Sequence, residues 1–93
     1  MEIKEKIISK LKERFAPVHL KLSDESFKHA RHPQARKHGG GHYRLLIVAQ
    51  EFCGMSKVQK HRIIYATLHE FMPAEIHALS IQALTPEEFS GEN

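Results

Sequence analysis

Along the first fifteen residues, Ile3, Ile7, Ile8, Leu11 and Phe15 recur at helical spacing with lysines and glutamates between them. This pattern predicts an amphipathic helix that Pro17 stops. "VHLKLSD" then alternates Val18, Leu20 and Leu22 against His19, Lys21 and Ser23, the period of a strand with one covered face and His19 on the solvated one. "YRLLIVA", from Tyr43, is almost continuously apolar and branched, which predicts a central, more enclosed strand. After "QEFCGMS" a second helix follows, with Ser56 as its cap. Val58, His61, Tyr65, Leu68 and Met72 share one side, widened by Ile64 and Phe71, and Pro73 ends it. "EIHALSIQAL" returns to strand character, with His77, Leu79 and Ile81 on one face. Thr85-Pro86-Glu87-Glu88 combines a cap, a first-position proline and early acids, the start of a short last helix. The order helix, strand, strand, helix, strand, helix predicts an α+β domain with helices packed on one face of a three-stranded sheet.

Composition narrows what such a domain does. At 93 residues the chain is one domain, residues 1–93, and its 41% hydrophobic content is that of an ordinary globular protein. A domain of this size buries only about 60–65% of its unfolded surface, so a deep pocket for a large substrate is not expected. The sequence carries no nucleophile elbow, no paired carboxylates and no phosphate-cradling motif. Gly39–Gly41 lacks the lysine and the strand-to-helix setting of a phosphate loop, and an enzyme is not expected. Cys53 is the single cysteine, which rules out an internal disulfide or a self-contained thiolate cluster. The charged start "MEIKEKIISK" is unlike a secretory signal, and no window offers the run of about 20 apolar residues that a membrane span needs. These features predict a cytoplasmic protein with no membrane association.

The remaining question is "HARHPQARKHGGGHY", a histidine-rich, basic run broken by Pro33 and three glycines between the first two strands. A connection this long, about residues 28–41, exceeds what compact domains use without a functional reason. Histidine is the commonest metal ligand. His77, at the start of the third strand, has apolar neighbours that would hold it in one orientation, as a ligand requires. His29, His32, His38 and His42 lie on the connection, within a swing of it. His61 reads as a core-edge imidazole and His69 as an exposed one. Two imidazoles leave a tetrahedral ion two ligands short, so either the connection adds more or a second molecule completes the site.

Taken together, "ESFKHA", "HYRLLIVAQEFCGMSKVQKHRIIYATL" and "IHALSIQALTPEEF" resemble the BolA family over nearly all of the chain beyond residue 20. The match is carried by the spacing of H-[YF]-x-x-x-[IV]-V, "KHRIIY", "IHAL" and "TPEE". The resemblance implies a KH-like (type II-like) αββαβα fold with a mixed sheet and a short extra helical turn before the central helix. It also implies a non-enzymatic adaptor in iron–sulfur cluster assembly and trafficking, sharing a [2Fe-2S] cluster with a monothiol glutaredoxin. The glutaredoxin would bring a cysteine and a glutathione thiol, and apo iron–sulfur proteins would be clients. On this chain the family's ligands map to His77 and to His29, with His32 and His38 as alternatives on a connection longer than usual for the family. Cys53 stands where the family often has a polar residue, and we read it as a semi-buried thiol without a ligand role.

BolA-like proteins are also described as DNA-binding regulators of stress response and cell morphology. Lys57, Lys60 and Arg62, opening the second helix, are the residues that would contact phosphates. The net charge of +3 permits such contacts without requiring them. The turn "CGMS" lacks the paired glycines of a KH backbone grip, and Tyr43 is the only aromatic near the basic run.

Overall fold

In the computed structural model, which describes residues 2–25 and 41–91, Ile7, Leu11 and Phe15 turn inward from helix α1 (Ile3–Phe15), as their spacing predicts. The helix ends where Ala16 takes a left-handed backbone, φ 46°, and its N–H donates back to the Lys12 carbonyl at 3.0 Å. Pro17 then keeps the chain from resuming the helix. Strands β1 (His19–Asp24), β2 (Gly41–Val48) and β3 (Ile76–Leu84) form one sheet in that order. β1 runs antiparallel to β2, and β3 runs parallel to it, so the sheet is mixed. Helix α2 (Lys57–Leu68) supplies the crossover that a parallel pair requires, and a single 3-10 turn at Gln50–Phe52 precedes it.

Register explains the core. Leu20 faces Ile47 and Leu22 faces Leu45 across β1 and β2, while Leu45 and Ile47 face Ile81 and Ala83 of β3. These side chains share one face and pack with Ile7, Leu11 and Phe15 of α1 and Ile64 and Leu68 of α2. Leu45 and Ile47 are fully buried, as expected of the central strand. Val18, predicted on the covered face, is instead 67% exposed, because β1 begins one residue later and Val18 hangs at its end.

The second helix differs from its predicted stripe. Its buried residues are Lys60, Ile64 and Leu68, whereas Val58 and Tyr65 point outward, 58% and 40% exposed. The reason is Lys60. Its stem lines the inner face while its ammonium donates to the Ala83 carbonyl and to Glu88 Oε1, each at 3.2 Å, so a core position is filled by a charged residue. The helix starts where predicted: Ser56 and Gln59 form a reciprocal capping box.

Helix α3 (Pro86–Gly91) is capped in the same way by Thr85 and Glu88, at 3.1 and 2.8 Å. Its Phe89 ring stacks on His19 at 4.9 Å and 21°, on the face of β1 away from Leu20 and Leu22. The long helices therefore cover one face of the sheet, and the last helix wraps the far end. No helix among the described residues is long and apolar enough to cross a membrane. The connection between β1 and β2, with His29, His32 and His38, lies outside the described residues apart from its last residue, Gly41, which opens β2.

Candidate metal centre

β2 and β3 run parallel, so both strands begin at the same end of the sheet. That end also receives Glu25, the residue after β1, whose N–H donates to the His42 carbonyl at 2.6 Å. On the other flank the Gly41 N–H donates to the Glu75 carbonyl at 2.9 Å. The backbone on either side of His42 is thus fixed from both neighbouring strands. Gly41 is required by its neighbour: a Cβ built there would lie 2.5 Å from Cε2 of Tyr43. The Tyr43 ring is folded against the Gly41 backbone and is 95% removed from solvent, with only 5% exposure. Burial, followed by the nearby charges of Asp24 and Glu2, pushes the phenol above its ordinary value. Because strand side chains alternate, anchoring Tyr43 in the core sends His42 to the opposite face.

His77 reaches the same place by a different device. Gly41 is paired with Ile76, but His42 is paired with Ala78, so the register slips by one residue. His77 has no opposite number on β2. Such a bulge breaks the alternation and re-aims a side chain. Ile76 is consequently buried and His77 exposed, whereas the sequence places His77 on the same face as Leu79 and Ile81.

The result is a pair of imidazoles, His42 and His77, with ring centroids 5.3 Å apart and planes at 55°. Two imidazoles bound to one tetrahedral ion, at about 2.0–2.1 Å per nitrogen, have centroids about 5 Å apart. The spacing therefore suits joint ligation of one metal ion. No group of three or more histidine, cysteine, aspartate or glutamate side chains gathers for a metal among the described residues. By itself the pair offers two imidazoles, two donors short of a tetrahedral set. A shallow cleft of about 260 Å³, lined by Glu25, His42, Tyr43, Ala78, Leu79 and Ser80, opens beside it.

Of the sequence-derived candidates, His77 is at this site, and His29, His32 and His38 fall outside the described residues. In the sequence His42 is one of several histidines on the connection. Its position was readable in one signal: extending the alternation of Tyr43, Leu45 and Ile47 back by one residue makes His42 a strand residue on the other face. Elsewhere, Cys53 is exposed rather than semi-buried, accepting from Gln50 Nε2 at 3.3 Å. Lys57 and Arg62 are exposed on α2, but Lys60 is turned inward and engaged, so it is not presented beside them.

Comparison with known proteins supplies the remaining context. The family model described as BolA-like protein matches residues 11–88. The DNA-binding transcriptional regulator BolA of Escherichia coli is 34% identical over 91 residues, covering 98% of this chain and 83% of that protein. BolA-like protein 1 of Homo sapiens is 39% identical over 83 residues, 89% of this chain and 58% of that protein. SufE-like protein 1 of Arabidopsis thaliana is 40% identical over 87 residues, 89% of this chain, and the chain spans only 24% of that longer relative. Among solved structures, the BolA domain of Arabidopsis SufE1 superposes with a TM-score of 0.79 at 37% identity, covering 95% of this chain and 98% of that one.

Proposed function

This chain belongs to the BolA-like protein family, and on that premise we propose that it is a non-enzymatic adaptor in iron–sulfur cluster assembly and trafficking. It holds a [2Fe-2S] cluster, its cargo, jointly with a monothiol glutaredoxin. The observation that carries this reading is the His42–His77 pair, 5.3 Å apart at one end of the sheet. Occurrence of a BolA domain within a SufE-like protein supports an iron–sulfur setting.

His77 presents one imidazole from the bulge. The second comes from His42, or from His29, His32 or His38 on the segment that enters β2 at Gly41. A cysteine of the glutaredoxin and a glutathione thiol complete the set. Nitrogen ligands on one iron raise the cluster potential relative to all-thiolate ligation. Imidazole must also be neutral to ligate, so acid competes with the cluster for His77 and its partner and favours release. A cargo held in this way is suited to being passed on.

The test mixes the chain with glutathione-loaded monothiol glutaredoxin, iron and sulfide, and records visible absorption and circular dichroism. His77→Ala is expected to abolish the mixed-complex spectrum. His42→Ala is expected to weaken it strongly, while His29→Ala leaves it unchanged if His42 is the second ligand. A spectrum indifferent to His77→Ala would remove the reading.

A second reading, DNA binding as a transcriptional regulator, is favoured by the name of the Escherichia coli relative and by the exposed Lys57 and Arg62. It is tested by salt dependence and sequence preference. Affinity that collapses between low and physiological salt, without preference for any sequence, marks simple charge attraction.

A further inference from the structure

The outward face of α2 has no role in the imidazole pair, yet it is unusual for a solvated helix face. It forms a groove of about 600 Å³ running along Lys57, Val58, His61, Arg62, Tyr65 and Ala66. Among the described residues Val58 and Tyr65 are two of the three large apolar side chains left exposed, at 58% and 40%. Tyr65 is fixed in place because its hydroxyl donates to the Leu79 carbonyl at 3.1 Å, leaving the ring face as the groove's apolar wall. The charge along this helix is of one sign. Lys57–Leu68 contains Lys57, Lys60 and Arg62 and no acidic residue, so its cations have no carboxylate partner within the helix. Lys57 even stands in the first turn, where the helix dipole disfavours a cation. Neither Lys57 nor Arg62 takes part in an ion pair among the described residues.

We propose that this face docks an acidic amphipathic helix of a partner protein, its apolar side on Val58 and Tyr65 and its carboxylates on Lys57 and Arg62. Helix-in-groove recognition uses this combination, with apolar anchors at a spacing such as i and i+7, here Val58 and Tyr65 two turns apart, flanked by charge. Other occupants fit less well. Residues 26–40 of the chain itself carry Lys28, Arg31, Arg36 and Lys37 and no acid, so they are repelled. A second copy related by a twofold axis would set the same cations against themselves. A nucleic acid would satisfy Lys57 and Arg62 but gains little from an exposed valine between them. The docking face is independent of the cluster reading, and its test uses neither glutaredoxin nor iron.

The probe is a fluorescent peptide of about 18 residues, five helical turns, with leucines along one side and glutamates elsewhere. Its control has the same composition with the leucines scattered. Fluorescence anisotropy at roughly physiological ionic strength should show the patterned peptide binding about tenfold more tightly than the control. Val58→Asp and Arg62→Glu should each weaken it by about tenfold, the cost of losing a central anchor or charge. Both positions are exposed, and circular dichroism should confirm unchanged helix content. Amide chemical shifts should move along Val58, Arg62 and Tyr65 and not at His42 or His77. Equal binding of the two peptides, or indifference to Val58→Asp, overturns the proposal. So does tighter binding of a random DNA duplex than of the patterned peptide.

Discussion

His42 and His77 meet because Gly41, Tyr43 and Ile76 put them together, and none of those three belongs to the imidazole pair. Gly41 leaves room for the Tyr43 ring, Tyr43 buries itself, and His42 is left on the other side. Gly41→Ala forces a Cβ into that ring and should destabilise the fold by about 1–3 kcal/mol, the usual cost of overpacking. Combining it with Tyr43→Ala should recover part of the Gly41→Ala penalty relative to Tyr43→Ala alone, which a urea-denaturation cycle would reveal. At this scale the sequence was half legible. His77 stood out by its place at the head of a strand with apolar neighbours, and family resemblance reinforced it. His42 did not, because its identity as a strand residue depends on where β2 starts, and a run of three glycines conceals that start.

Elements were easier to read where their ends are chemically marked. Ser56 and Thr85 cap α2 and α3 as their sequences predict, each through a reciprocal box. Ser56→Ala should cost about 1 kcal/mol, measured by thermal or urea unfolding. Glu88 adds a pH dependence. The Thr85 backbone N–H first, then the Lys60 ammonium, holds its carboxyl below the ordinary value of 4.5. A carboxylate depressed on folding stabilises the native state at neutral pH and loses that contribution as pH falls from about 4.5 through its folded value. Glu88→Gln should therefore lower stability near neutrality and flatten this part of the acid limb in an acid-unfolding series. The inner stripe of α2 was misread for one reason. Lys60, facing inward to the Ala83 carbonyl, breaks the apolar period of the inner face, so the stripe through Val58, His61 and Tyr65 is the more regular one in the sequence.

Across the whole molecule, the described residues divide into regions with different chemistry. The imidazole pair is at the starting ends of β2 and β3, α3 closes the other end, and the groove of α2 looks away from the sheet. If the cluster is held as proposed, forming the complex with glutaredoxin should move amide resonances around Gly41–Tyr43 and Ile76–Leu79. Those of Val58 and Arg62 should stay in place. Alternation and helical spacing made the element order legible. They did not reveal that β3 lies parallel to β2, because pairing direction leaves little trace in a single strand, and it was the family resemblance that implied a mixed sheet.

The slip in register at His77 has one more consequence. A residue that falls between two register pairs, with its side chain exposed, can be exchanged with little effect on how the strands align. His77→Cys should fold as well as the parent and, if the cluster is held as proposed, replace a nitrogen donor by sulfur and lower the cluster's potential. The extra residue makes position 77 an interchangeable fitting on an otherwise fixed frame.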